Sequence, residues 1–380
     1  MSRLTHMRAQ RARSFFAAAM LLCAVATCHA APEPIVIGQS LPLTGPGFPV
    51  ANRVLAGARA HVERVNASGG ILGRPVELMT LDDAGDPQRV AANLRTLVRQ
   101  HKAALIVNCL GERACLEAAQ ATRELRVPLV GPMSGASVLR TPDVRHVFSL
   151  RPDDAKEADA LARQLGSIGV SKVTVLADDS EPARTAALVA ALQRSGQQVT
   201  RFTADARLES IEAAFREVAK AAPQALVLNL GNEVLDALGR LPPTVYDNMP
   251  STVATLSTSG LTQLTRLFRN RLVGYTSVVP NPEVARLPIV RELERDADAF
   301  IGPEALTFEG LESYLNLRVC TEALRRAGPR ADGQRLGEAI ESLGALDLGG
   351  FRLSFARERH QASDHVEIGM RSRDGKLLLR

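Results

Sequence analysis

Three sets of residues in this 380-residue chain carry groups capable of chemistry. Cys109 and Cys115 are spaced to form a disulfide in an oxidising compartment or to remain free, partly buried thiols, and the spacing leaves both open. Cys320 sits in a helical apolar pattern and reads as core. Asp82-Asp83 closes a β-rich run and is followed by Asp86-Pro87 at a helix start. Carboxylates there suit capping and the helix dipole better than paired acid–base catalysis. The histidines at 61, 101, 146, 360 and 365 show no metal-ligand spacing, so no metal site is expected. His61 and His101 fall on presumed exposed helix positions, and His360 and His365 on a solvated loop.

Enzyme signatures are missing: there is no Gly-x-Ser-x-Gly elbow, His-Glu-x-x-His pair, Cys-x-x-Cys or Walker A loop. Gly45-Pro46-Gly47-Phe48-Pro49-Val50 approaches a dinucleotide fingerprint, but Val50 replaces the third glycine and two prolines remove amide donors. No cofactor and no catalytic chemistry are expected of these residues.

The elements that must position these residues follow from periodicity. Beta-rich runs at 35–39, 76–81, 104–108, 127–131, 173–177, 198–202, 225–229, 252–256 and 272–276 read as strands. Segments 50–66, 87–101, 112–125, 155–166 and 182–195 repeat apolar residues at helical spacing. Such βα alternation predicts an α/β fold of doubly wound parallel sheets, with ligands bound beyond the carboxyl ends of the strands. Runs 35–150 and 170–275 are separated by Arg151-Pro152-Asp153-Asp154, and Pro280-Asn281-Pro282 looks like a second crossing between two lobes around a cleft.

Charge narrows the partners. The chain has 46 basic and 41 acidic residues, a formal net charge of +5. Residues 1–13 hold Arg3, Arg8, Arg11 and Arg13 and no acid, and an apolar stretch and small residues follow. That order predicts a secretory signal peptide, residues 1–30, and an exported, periplasmic protein; the rival is a lipoprotein anchored at Cys28. Taking those four arginines from the 46 basic residues leaves 42 against 41 acids, so the remainder is nearly neutral. Nucleic acid is not an expected partner. No later apolar run approaches the ~20 residues of a membrane span.

Several stretches together carry a resemblance. They are Gln39-Ser40-Leu41-Pro42-Leu43-Thr44-Gly45, Asn66-Ala67-Ser68-Gly69-Gly70-Ile71-Leu72-Gly73-Arg74, Leu81-Asp82-Asp83 with Asp86-Pro87, Arg151-Pro152-Asp153-Asp154, Phe308-Glu309-Gly310 and Asp347-Leu348-Gly349-Gly350-Phe351. In this order the chain resembles the type I periplasmic binding proteins, specifically the branched-chain amino-acid (leucine/isoleucine/valine) receptors of ABC importers, over nearly all of 34–380. The resemblance implies two Rossmann-like lobes joined by a multi-strand hinge, 34–150 plus 280–361 and 151–279 plus 362–380. It implies a monomer that closes over a small amino-acid-like ligand and is presented to an inner-membrane permease. The alternative is a sensory protein of the same fold that signals through a partner, with a ligand that is not an amino acid.

The same resemblance assigns ligand-binding positions, and several are altered. Where relatives offer a hydroxyl to the ligand carboxylate, this chain has Glu112, followed by Arg113; an ionised Glu cannot donate a hydrogen bond. Ser134 and Gly135 keep the neighbouring loop's hydroxyl and flexible backbone. In the second lobe Glu181 stands at a position where relatives often have Tyr, and Ser259 where many have the acid that receives an ammonium. Glu233 is either a substitute ammonium partner or an ordinary acid at a helix start. Three ligand accounts remain: one lacking the α-amino-acid head group, a cationic or amide-like one using Glu112 and Glu181, or lost affinity.

Overall fold

Each β-branched run becomes a strand in one of two largely parallel sheets in the computed structural model, which describes residues 32–257, 260–268, 270–328, 331–372 and 376–379. Residues 1–30, expected to be a signal peptide and including Cys28, and Ser259 lie outside the described residues. The first sheet has the order β2-β1-β3-β4-β5, from β1 (Ile35–Leu41), β2 (Val76–Asp82), β3 (Leu105–Val107), β4 (Leu129–Val130) and β5 (Val147–Phe148). Its strands are all parallel, with Ile35 opposite Val76 at one end and Leu41 opposite Asp82 at the other. β5 has no counterpart among the sequence-based strands.

The second sheet runs β14-β13-β10-β9-β8-β6-β7. Its parallel part is β6 (Lys172–Ala177), β7 (Gln198–Thr203), β8 (Ala225–Asn229), β9 (Thr252–Thr255) and β10 (Leu272–Ser277). Every residue of β8 is buried, as expected of a central parallel strand covered on both faces. A hairpin of β11 (Ala345–Leu348) and β12 (Phe351–Ser354) precedes β13 (Glu367–Arg371) and β14 (Leu377–Leu379), which add antiparallel to the edge of the second sheet.

Helices connect the strands, and local chemistry marks their starts. They are α1 (Phe48–Ala67), α2 (Pro87–Arg99), α3 (Glu112–Leu125), α4 (Asp154–Ser167), α5 (Pro182–Arg194), α6 (Leu208–Ala221), α7 (Asn232–Leu238), α8 (Leu261–Leu267), α9 (Pro288–Phe300), α10 (Phe308–Ala327) and α11 (Gly333–Glu341). Asp86 caps α2 by accepting from the Gln88 amide, and Asp153 caps α4 by accepting from Lys156, both at 2.9 Å. Thr307 caps α10, accepting from the Gly310 amide at 3.0 Å. Helix α10 packs on α1 where neither partner has room for a side chain: a Cβ on Gly57 would lie 2.0 Å from the Gly310 carbonyl oxygen.

His61 corrects the sequence reading. It is buried on α1, its Nε2 2.9 Å from the Thr321 hydroxyl and its ring edge-on to Tyr314. Burial, with nearby Arg318, Arg325 and Arg64, holds its pKa well below the usual value, so the ring is neutral. His360 also departs from a solvated loop: it stacks on Phe148 and faces Glu341 at 3.0 Å.

Three chain crossings lie side by side between the sheets. The first follows β5, the second follows β10, and the third runs from β12 to β13. Ser149 ties the first to the third through its backbone, donating to His360 and accepting from Ala362, both at 2.8 Å. Asn281 ties the second to the third, its amide donating to Glu367 at 3.2 Å. Arg140 staples the bundle by donating to the carbonyls of Ala136, Ser134, Arg151 and Pro152 and to Gln361 at 2.8–3.2 Å. Burial lowers its pKa to about 10, yet it stays charged at neutral pH.

Candidate functional site

Seven strand-to-helix loops, all at the carboxyl ends of parallel strands, converge between the two sheets. They come after β1, β2, β3 and β4 of the first sheet and after β6, β7 and β8 of the second. They enclose a cavity of about 410 Å³, a size suited to a small solute. A buried amide network under the first-sheet loops fixes their geometry. Asn108 donates to Gln39 and Ser313, each at 2.9 Å, and Asn316 donates to Asn108 at 2.8 Å and to the Gly131 carbonyl at 3.1 Å.

The loop after β3 is closed covalently. Cys109 and Cys115 are joined as a disulfide, with Cα atoms 5.3 Å apart. Gly111 turns the chain between them at φ 81°, a left-handed conformation that favours glycine. Helix α3 then starts at Glu112, whose side chain enters the cavity wall. Glu112 is buried, and its Oε2 has no hydrogen-bond partner. Burial and the nearby Glu181 raise its pKa, while the Ala183 amide, Arg113 and the Arg184 amide act in the opposite direction.

Arg113 does not fold back over Glu112. Its Nη2 donates to the Asp179 carbonyl at 2.6 Å, linking the β3 loop to the β6 loop across the cleft. Glu181, immediately before α5, pairs with Arg184 at 2.8 Å. Arg184 is buried beside Asp154 at 3.7 Å and also donates to the Ser257 carbonyl. Burial lifts the Asp154 pKa to about 7, opposed by Arg184 and reinforced by Glu181 and Glu157.

Behind this pair lies a second charged cluster. Arg151 is wholly enclosed at the first crossing, between Glu157 of α4 at 3.1 Å and Glu312 of α10 at 3.7 Å. Glu157 also accepts from the Ser257 amide at 3.1 Å and the Thr276 hydroxyl at 2.8 Å. With these donors, and Arg151 and Arg184 close by, its pKa is lowered despite complete burial. Burial raises that of Glu312. The two clusters join both sheets' helices at the base of the cleft.

Four of the expected ligand positions, Glu112, Arg113, Glu181 and Glu233, line this cavity. Ser134 and Gly135 do not. The Ser134 hydroxyl is buried and accepts from the Ala136 amide at 3.3 Å. Asp154 packs over Gly135 so closely that a Cβ there would lie 2.1 Å from its Oδ1. Asp154, which packs on Gly135, is in turn paired with Arg184. Sequence reasoning missed Arg184 and Asp178. Asp178 was legible as the residue closing a strand, and it accepts from Ser180 at 2.9 Å and from the Gly231 amide at 2.7 Å. Arg184 carries no local signal. Among the described residues no cluster of His, Cys, Asp and Glu suits a metal, and no helix is long and apolar enough to cross a membrane.

Comparison with known proteins bears on the same residues. A family model described as periplasmic binding protein matches residues 34–376. The chain is 29% identical over 145 residues to the Leu/Ile/Val-binding protein homolog 3 of Brucella melitensis, covering 38% of this chain and 39% of that protein. It is 41% identical over 71 residues to Leu/Ile/Val-binding protein BraC3 of Rhizobium johnstonii, 19% of each chain. The chain therefore spans less than two fifths of the length of the curated relatives it matches. Among solved structures, a substrate-binding periplasmic protein from Ralstonia solanacearum superposes with a TM-score of 0.79 at 25% identity, over 91% of this chain and 100% of that one. A branched-chain amino-acid ABC transporter protein from Thermus thermophilus with bound valine gives 0.79 at 16% identity, over 91% and 95%, which speaks to the fold alone.

Proposed function

We propose that this chain, which belongs to the periplasmic binding protein family, is a receptor that captures a small amino-acid-like solute between its lobes and delivers it to an ABC importer. The family binds solutes and is not one of enzymes. The observation that carries the reading is the cavity of about 410 Å³ at the facing carboxyl ends of two parallel sheets, beside three hinge crossings. In this reading segments 34–150 plus 280–361 and 151–279 plus 362–380 are the two lobes, and closure over the ligand creates the surface that a permease recognises. Glu112, Arg113, Glu181 and Glu233 are the ligand-facing positions. Residues 1–30 act as a cleaved export signal, and the receptor works in the periplasm as a monomer.

The relatives named for leucine, isoleucine and valine support an amino-acid-like ligand. The altered lining supports one that differs from those three. The test is small-angle X-ray scattering of the purified protein with and without solutes drawn from amino acids, amides, polyamines and aromatic acids. A receptor contracts on binding one of them; a radius of gyration unchanged by every solute, with no accompanying thermal shift, contradicts the reading.

A further inference from the structure

We propose that the solute taken by this cleft is a small organic cation bearing N–H donors, a primary ammonium or guanidinium, received by Glu112. The inference deepens the receptor reading and rests on it. The cavity wall carries the carboxylates of Asp83, Glu112, Asp178, Asp179, Glu181, Asp205 and Glu233 against only two cations, Arg113 and Arg184.

Internal partners account for part of that excess and leave the rest to a ligand. Asp83 accepts from Ser40 and Gly85, and Asp178 from Ser180 and Gly231. Glu181 pairs with Arg184, and Asp205 pairs with Arg207 on the outer surface. The Ala183 and Arg184 amides act on the Glu112 carboxylate, but its Oε2 receives no hydrogen bond. Glu112 is only 9% exposed and lines the cavity, and that oxygen is buried. A buried carboxylate oxygen left in that state is costly, and a donor supplied by a ligand removes the cost.

The charge count favours a cation over other donors. A ligand carboxylate entering here would face several acids, with Arg113 already committed to the Asp179 carbonyl at 2.6 Å. The kind of cation follows from what the wall lacks: none of the lining residues is aromatic. A quaternary ammonium is usually held by aromatic faces and has no N–H to give, so it leaves Glu112 unsatisfied. Ammonium and guanidinium groups supply both charge and donors.

The test is titration calorimetry of the purified protein with putrescine, agmatine and L-arginine, against L-leucine and glutarate, at 20 and 300 mM salt. At least one cation is expected to bind with a dissociation constant on the order of 100 μM or tighter, more weakly at high salt. Glu112→Gln is expected to weaken that binding about ten-fold or more. Glu233→Gln, on an exposed residue that poses no folding risk, is expected to weaken it a few-fold. Thermal unfolding checks that both variants remain folded. Leucine or glutarate binding more tightly than every cation overturns the inference and leaves the receptor reading standing. Cation binding indifferent to Glu112→Gln in a folded variant also overturns it. Binding of none of the five solutes also overturns the inference, while the receptor reading stands or falls with the wider scattering screen.

Discussion

Removing the charge of Glu157 tests whether the ion cluster beneath the cleft holds the hinge. The Glu157→Gln side chain keeps nearly the same volume, so packing changes little. Arg151, wholly buried, then loses its charged partner at 3.1 Å and keeps Glu312 at 3.7 Å and the Ser257 hydroxyl. The new amide group also meets donors: Oε2 of Glu157 accepts from the Ser257 amide at 3.1 Å and the Thr276 hydroxyl at 2.8 Å. Thr276 can rotate its hydroxyl to accept instead, and the Ser257 N–H, which can only donate, keeps the Thr276 oxygen as an acceptor at 2.9 Å. Breaking a buried pair from one side costs about 3–5 kcal/mol. The surviving Glu312 places this variant near the lower end, about 3 kcal/mol. At the ~2 °C per kcal/mol expected of a large chain, the melting temperature falls by about 6 °C. The assay is thermal and urea unfolding followed by circular dichroism at pH 7.5. The cost is attributed to an unpaired buried cation, so the double variant Arg151→Met with Glu157→Leu should be more stable than Glu157→Gln alone. A single variant within about 0.5 kcal/mol of the parent, or a double variant no better than the single, refutes the reasoning.

Other consequences follow from neighbouring residues. Asp154 binds its proton up to about pH 7 in the folded chain, while the unfolded carboxyl releases it near its ordinary value of 3.8. Its contribution to stability is full at low pH and is lost as pH rises from about 4 to about 7, by at most about 1.4 kcal/mol per unit. Parent stability measured relative to Asp154→Asn should decline across that window; a flat difference contradicts the burial argument. Gly57→Ala should cost about 3 kcal/mol in urea unfolding by forcing α10 off α1, and an unchanged midpoint would show that the helices separate freely. The Cys109–Cys115 link closes a loop with a sequence separation of 6, worth about 2 kcal/mol by chain entropy. Dithiothreitol should therefore lower the melting temperature and raise the thiol count after denaturation from one to three among the described cysteines.

Arg151 and Arg140 give the hinge a physical description. Arg140 bonds to backbone on the first crossing and to the Gln361 side chain on the third, whereas Arg151 is held between carboxylates from α4 and α10, helices that flank different sheets. A hinge must keep its pivot while the lobes move. Buried charges with fixed partners specify one pivot geometry more sharply than apolar contacts, which slide at little cost.

The sequence alone determined the fold class, nine of the strands and helices α1 to α5. Asp86-Pro87, Asp153-Asp154 and Pro182 mark helix starts through capping and fixed φ, and the β-branched runs mark strands. These are interactions within a few residues, so a local pattern encodes them. The loops bearing Glu112, Arg113, Glu181 and Glu233 were legible for the same reason: each follows a strand, and parallel sheets place such loops at one end. Tertiary structure decided what those loops enclose. His61 became core because α10 happens to lie on its face of α1, bringing Thr321 to the ring. Gly135 came to lie under Asp154, which pairs with Arg184, because the segments bearing these residues meet there in three dimensions. Arg151, Glu157 and Glu312 show no periodicity that distinguishes them from solvated charges. Their pairing exists only where three separate segments converge, and burial makes the pairing obligatory once they do.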